Sequence, residues 1–160
     1  MKKFSLLSFV LLLLLLLSSC GEKKVRTDVD ALSVVSAMKA VTDQSNKTVE
    51  ANADYIADLL QIDLSLCADY AVMVPDSTTN MDEFGVFKAL DEEKAAELRK
   101  QVDDYLALRN RQWMPEYLPE EYPKIKNAES ESGGIYVCYC ILSDSYRDAA
   151  FDAFSDALKG

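Results

Sequence analysis

The chain has 160 residues, 17 Lys+Arg against 27 Asp+Glu, no His, 4 Cys, and about half its residues apolar. A formal net charge of -10 repels phosphate backbones, and no Lys/Arg run is dense enough to overcome it, which excludes nucleic acid as a partner. Without His the chain cannot build a Ser-His-Asp triad, a Cys-His pair or the usual zinc site, and none of its five glycines opens a phosphate-binding helix.

Lys2 and Lys3 precede a 14-residue apolar run over residues 4–17, too short to span a bilayer core of about 30 Å at 1.5 Å per residue. The run has the anatomy of a secretory h-region. It ends in Leu17-Ser18-Ser19-Cys20, which resembles the lipobox of bacterial lipoproteins. That resemblance implies cleavage after residue 19 and a diacylglyceryl thioether on Cys20, so residues 1–19 are expected to be a signal peptide. The mature protein is then expected on the extracytoplasmic face of the cell membrane. Losing residues 1–19 removes two lysines and no acid, leaving -12 beside an anionic surface. Residues 20–28 read as a lipid-anchored spacer, and residues 29–160 as one domain by size.

Taken in order, Leu32, Val35 and Met38 predict a helix near 29–42, capped by Thr27, Asp28 or Asp30. Asn52 before Tyr55, Ile56, Leu59 and Leu60 predicts a second near 52–60. Alternation of Tyr70, Val72 and Val74 against Ala71 and Met73 predicts a strand near 66–74. Glu83–Ala89 predicts its hairpin partner, after a long polar tip over residues 76–82. The strongest helix is expected over 91–112, with Ala95, Leu98, Val102, Tyr105 and Leu106 as core stripe and Arg99/Asp103 and Lys100/Asp104 paired on the wet side. Pro115, Pro119 and Pro123 then allow a turn or two of helix at most, and Glu129–Gly134 reads as loop. Ile135–Leu142, apolar on both faces, predicts a central strand, and Ser143 or Asp144 caps a last helix over 144–158 that buries Phe151, Phe154 and Leu158. The fold class is therefore α+β: a small, mainly antiparallel sheet of about three strands, near 66–74, 83–89 and 135–142, with four helices packed on it.

Ala68-Asp69-Tyr70, residues 82–88 (DEFGVFK), residues 117–121 (YLPEE) and residues 134–137 (GIYV), together with the lipobox, resemble a family of uncharacterised lipoproteins of mainly Gram-positive anaerobes, domain of unknown function 4358. The resemblance implies an extracytoplasmic location and brings no activity, cofactor or catalytic residue.

Carboxylates are the one catalytic resource in quantity. Glu83 beside Asp82, or Glu120 with Glu121, are the first candidates for a glycosidase-like pair, although adjacent acids are inevitable in so acidic a chain. Asp76, Asn80 and Asp82, with Thr78, alternate faintly like half a calcium loop. Met81 stands where that loop needs glycine and Phe87 where it needs a bidentate Glu. Cys67, Cys138 and Cys140 remain after lipidation: an odd set, read as buried thiols or as one bridge from Cys67. Trp113, Tyr117 and Tyr122, near Tyr105, are candidates for a binding surface held open by proline, against the alternative that Tyr105 and Trp113 simply pack in the core. The expectation is a non-catalytic binding or accessory module of the cell envelope, without cofactor, reaching the membrane through Cys20 and meeting an envelope protein or a small ligand. A carboxylate-dependent cell-wall hydrolase and a purely structural lipoprotein are the alternatives.

Overall fold

The computed structural model describes residues 25–114 and 116–160, so Cys20 and the leader lie outside the described residues. Helix α1 (Ala31–Ala40) starts where Asp30 turns its carboxylate back onto the Ser33 N–H at 2.7 Å, so Asp30 is the cap among the three candidates. Strand β1 (Thr48–Glu50) follows. Asn52 then caps a single turn, α2 (Ala53–Tyr55), which widens into a π turn over Ile56–Leu60 and stops at Gln61 with φ 59°. A 3₁₀ turn (Leu64–Leu66) leads into β2 (Cys67–Pro75), and β3 (Glu83–Ala89) returns beside it. The 21-residue α3 (Glu92–Gln112) is capped by Asp91, whose Oδ1 accepts from the Lys94 N–H at 2.8 Å. The short α4 (Tyr122–Lys126), β4 (Glu129–Gly133), β5 (Tyr136–Ile141) and α5 (Asp144–Ala157) complete the chain.

The five strands form one open antiparallel sheet in the order β1-β2-β3-β5-β4. The α+β expectation holds at that level, but about three strands is an undercount. The two missed strands are the edges. β1 has three residues, and β4 (Glu-Ser-Glu-Ser-Gly) has no apolar side chain to betray a period, only a buried Ser130. Charged, short strands of this kind keep edges from pairing with other chains. Gly134 makes the β4–β5 turn at φ 57°, a conformation that suits glycine.

Period two divides the sheet into two cores. Val72, Val74, Phe87, Val137, Tyr139 and Ile141 face α3, the π turn and α4; Ala71, Met73, Phe84, Val86, Tyr136, Cys138 and Cys140 face α1 and α5. β5 is apolar on both faces because both faces are covered. On α3 the buried residues are Ala95, Leu98, Val102, Tyr105 and Leu106, the stripe expected, and the Arg99–Asp103 and Lys100–Asp104 pairs close at 3.2 and 2.6 Å. Phe151, Phe154 and Leu158 are buried in the last helix and its cap. Two expectations fail locally. Leu32 points to solvent and Val34 takes the buried place, and Leu59 is exposed because the wider π turn aligns only Ile56 and Leu60 with the core.

The domain begins earlier than residue 29. Val25 bridges to Lys159, the Arg26 N–H donates to the Leu158 carbonyl at 3.0 Å, and Val25 packs against Gly134. Residues 25–28, assigned to a spacer from sequence, are therefore part of the fold. This seam marks one end of the domain, shared by the end of β3 and the start of α3. The hairpin tip, the end of α3 and α4 form the opposite end, about 31 Å away along α3.

Candidate functional site

The second half of the hairpin tip is not a polar loop: Asn80, Met81 and Asp82 are buried. Asp82 sits under α4, where Lys124 donates to its Oδ1 at 2.7 Å while Asn46 donates to its Oδ2 at 2.8 Å. Lys124 also donates to Glu121 Oε2 at 2.8 Å, and the same oxygen accepts the Met81 backbone N–H at 2.8 Å. Burial pulls the Lys124 ammonium down, but its bonds to Asp82 and Glu121 outweigh that and leave it above the usual lysine value.

Glu83, the next residue along, points to the other side. It is buried on the α3 face, where Tyr105 and Tyr139 both donate to its Oε1, at 2.7 and 2.9 Å. Burial pushes this carboxyl above its ordinary range; the Tyr105 hydrogen bond, the charge of Arg109 and the Tyr139 hydrogen bond pull it back only in part. Gly85 makes this packing possible, since a Cβ there would lie 2.9 Å from the Tyr139 ring and 2.8 Å from Val72.

Beside Glu83, three N–H donors are buried without a hydrogen-bond partner among the described residues. They are Asn80 Nδ2, Arg109 Nε and Trp113 Nε1. Arg109 and Trp113 stand one turn apart on α3 and at its end. The other end of the Arg109 guanidinium lies 4.0 Å from the sulfur of Met81, Asn80's neighbour. The Trp113 ring meets that of Tyr117 at 5.9 Å, and the Tyr117 hydroxyl donates to the Thr78 carbonyl at 3.0 Å, tying the loop after α3 to the hairpin tip. That loop turns through Leu118 at φ 48°, a strained value for a residue with a branched side chain.

The candidates from sequence thus sort as follows. Trp113 and Tyr117 come together; Trp113 also packs against the core that holds Tyr105, while Tyr117 is 47% exposed. Tyr122 opens α4 and joins no ring pair among the described residues. Asp76 is exposed, Asn80 spends its oxygen on the Asp82 N–H at 2.9 Å, and Asp82 is held by a cation and an amide. Asp82 and Glu83 face opposite ways, as neighbours on extended chain do. Glu120 is exposed while Glu121 is tied to Lys124. Cys67, Cys138 and Cys140 are free thiols. Strand β3 separates Cys67 from the other two, roughly two strand spacings of 4.8 Å, too far for a bridge. Burial, with the charges of Asp63 and Asp69, pushes the Cys67 thiol up to about 12.

An open groove of about 480 Å³ runs between α3 and β4. Its polar groups answer one another: Arg99 pairs with Asp103 and donates to Ser132, and the Ser130 hydroxyl donates to Asp103. Three of the donors left without acceptors are at the hairpin end instead, while a fourth, Arg147 Nε, lies 3.5 Å from Glu129 Oε2. Arg109 drew no notice because it looks like an ordinary wet helical arginine, and Asn80 drew notice only within the calcium-like alternation of the hairpin tip.

An open five-stranded antiparallel sheet with helices on both faces and a polar cluster at one end defines an α+β domain. Residues 39–142 match the family model described as Domain of unknown function (DUF4358), well over half of the chain, and the chain belongs to that family. The match takes in the whole sheet and the helices of the α3 face, and leaves out α5 and most of α1. No curated protein matches the chain, and no solved structure does.

Proposed function

We propose that this chain is a lipid-anchored, extracytoplasmic binding module that holds its hairpin end away from the membrane. One observation supports the reading: Val25, the first described residue, and the candidate site lie at opposite ends of the domain. If Cys20 carries the lipid, only residues 21–24 separate it from Val25, which is already bonded to Lys159. Five chain steps of roughly 3.4 Å reach about 17 Å at full extension. The Val25–Lys159 end then stays near the headgroups, and α3 carries Trp113 about 31 Å farther out. Two acyl chains supply enough buried CH₂ for stable anchoring, at about 0.8 kcal/mol each, where one would be marginal.

The arrangement of acids supports binding over hydrolysis. Glu83 is enclosed by tyrosines, Asp82 and Glu121 share one ammonium, and the adjacent acids do not face a common cleft. Expression of the full-length chain and its Cys20→Ser variant tests the anchor. The native chain is expected in the membrane fraction with the mass of two acyl chains, and the variant in the soluble fraction. Equal distribution of the two, with no added mass on the native chain, overturns the reading.

A further inference from the structure

Asn80 Nδ2, Arg109 Nε and Trp113 Nε1 are buried with no acceptor among the described residues; Arg109 reaches the sulfur of Asn80's neighbour Met81 at 4.0 Å, and Trp113 follows one turn later. Most of the side-chain oxygens nearby already hold a donor, while Glu83 Oε2 and Glu121 Oε1 accept none among the described residues. Glu83 Oε1 takes Tyr105 and Tyr139, Glu121 Oε2 takes Met81 N–H and Lys124, both Asp82 oxygens are taken, and Asn80's own oxygen takes Asp82 N–H. A buried donor without an acceptor costs about 1–3 kcal/mol, more for a charged group, so three such donors at one end of the domain ask for a partner that brings acceptors. Asn80 is only 7% exposed, so bulk water does not reach its amide freely. Arg109 forms no ion pair among the described residues, although acids outnumber bases in the chain by 27 to 17.

From this convergence we infer that Arg109, Asn80 and Trp113 bind a carboxylate-bearing ligand at the hairpin end of the domain. A carboxylate supplies about four lone-pair positions on two oxygens, enough for a guanidinium, an amide and an indole N–H together. It carries one charge, matching the one cation of the cluster. A phosphate dianion needs more cations than Arg109 supplies in so acidic a chain. The loop bearing Tyr117 crosses between Trp113 and Thr78, so the ligand enters by displacing the Tyr117–Thr78 contact, and the exposed Tyr117 ring covers it once bound. This inference names the ligand class of the site proposed above and rests on the binding reading, though not on the anchor.

Trp113 is the chain's one tryptophan, so its emission reports on the site directly. The full-length chain, purified from whichever fraction holds it, is titrated with N-acetyl-alanyl-alanine, with the same dipeptide amidated at its C-terminus, and with acetate. Apart from the carboxylate these probes carry no charge. A saturable emission change with the free-acid dipeptide and none with the amide is expected. Acetate giving the same change assigns the site to small acids, and acetate giving a weaker one assigns it to peptide C-termini; both keep the carboxylate.

Arg109→Gln should weaken binding roughly ten- to a hundredfold, the worth of a hydrogen bond to a charged group. Arg109→Lys, which keeps the charge, guards against a folding defect, and Tyr117→Ala should speed both arrival and release. Equal response to acid and amide overturns the carboxylate while leaving a binding module. No response to any probe, with the protein folded by circular dichroism, overturns the inference and assigns these donors to solvent.

Discussion

Lys124 donates to Asp82 across 2.7 Å and so pins α4 to the start of β3, two segments 42 residues apart in the chain. The pair is nearly enclosed, with the Lys124 and Asp82 side chains 12% and 5% exposed. Removing one partner of such a pair leaves an uncompensated buried charge, which costs about 3–5 kcal/mol. Lys124→Met should therefore lower the melting midpoint by roughly 10 °C, read by calorimetry. Asp82→Asn in the same chain should restore part of the loss, because one of the stranded charges is gone. A single variant as stable as the native chain would show the pair to be idle.

Glu83 predicts a pH dependence of stability with an unusual sign. Its carboxyl is raised above the ordinary 4.5 by burial, so between 4.5 and the folded value the native state holds a proton that the unfolded chain has released. Stability is then fully present below the unfolded value and falls as pH rises through the folded one. Glu83→Gln keeps an oxygen that can accept from Tyr105 and Tyr139 and has no charge to bury. Urea unfolding across that window should show a flatter pH profile for the variant. A variant profile as steep as the native one contradicts this assignment.

Gly85 faces the opposite problem, too little space. A methyl group there would meet Val72 Cγ2 at 2.8 Å, Tyr139 Cε1 at 2.9 Å and the Ala71 carbonyl at 3.2 Å. Gly85→Ala should cost roughly 1–3 kcal/mol and shift the Tyr139 ring, with a changed near-ultraviolet circular dichroism spectrum as the companion signal.

The thiols give a count. Cys138 and Cys140 are buried and Cys67 is half-buried, all free. Burial holds all three thiols well above the usual range, so little thiolate forms near neutral pH. Native protein should react slowly with a thiol reagent. Denatured protein should give three thiols when Cys20 is acylated and four in an intact chain whose Cys20 is free. One thiol in the acylated form would mean a bridge that the strand order forbids.

Much of the fold was legible because its period was strong. The α3 stripe from Ala95 to Leu106, the alternation in β2 and the two-faced apolar run of β5 each announce their burial in local sequence. Edge strands β1 and β4 were not legible: Thr48–Glu50 is too short, and the Glu and Ser side chains of β4 follow no apolar pattern because an edge needs none. The candidate site was half legible. Proline spacing and aromatic density pointed to Trp113 and Tyr117, which do meet. Asn80 stood out only as part of a faint calcium-like pattern, and Arg109 did not stand out at all. The role proposed for them depends on α3 running back along β3, a tertiary fact that no window of sequence contains.

The proposed orientation, with the hairpin end held away from the bilayer, is open to measurement by labelling on vesicles. Leu90 is 58% exposed near the Val25–Lys159 end, and Tyr117 is exposed at the hairpin end. The full-length lipidated chain, carrying a fluorophore on Leu90→Cys in one sample and on Tyr117→Cys in another, is reconstituted in vesicles containing a headgroup-labelled quencher lipid. Strong quenching is expected at position 90 and little at position 117. Equal quenching at both positions, or stronger quenching at 117, would contradict it.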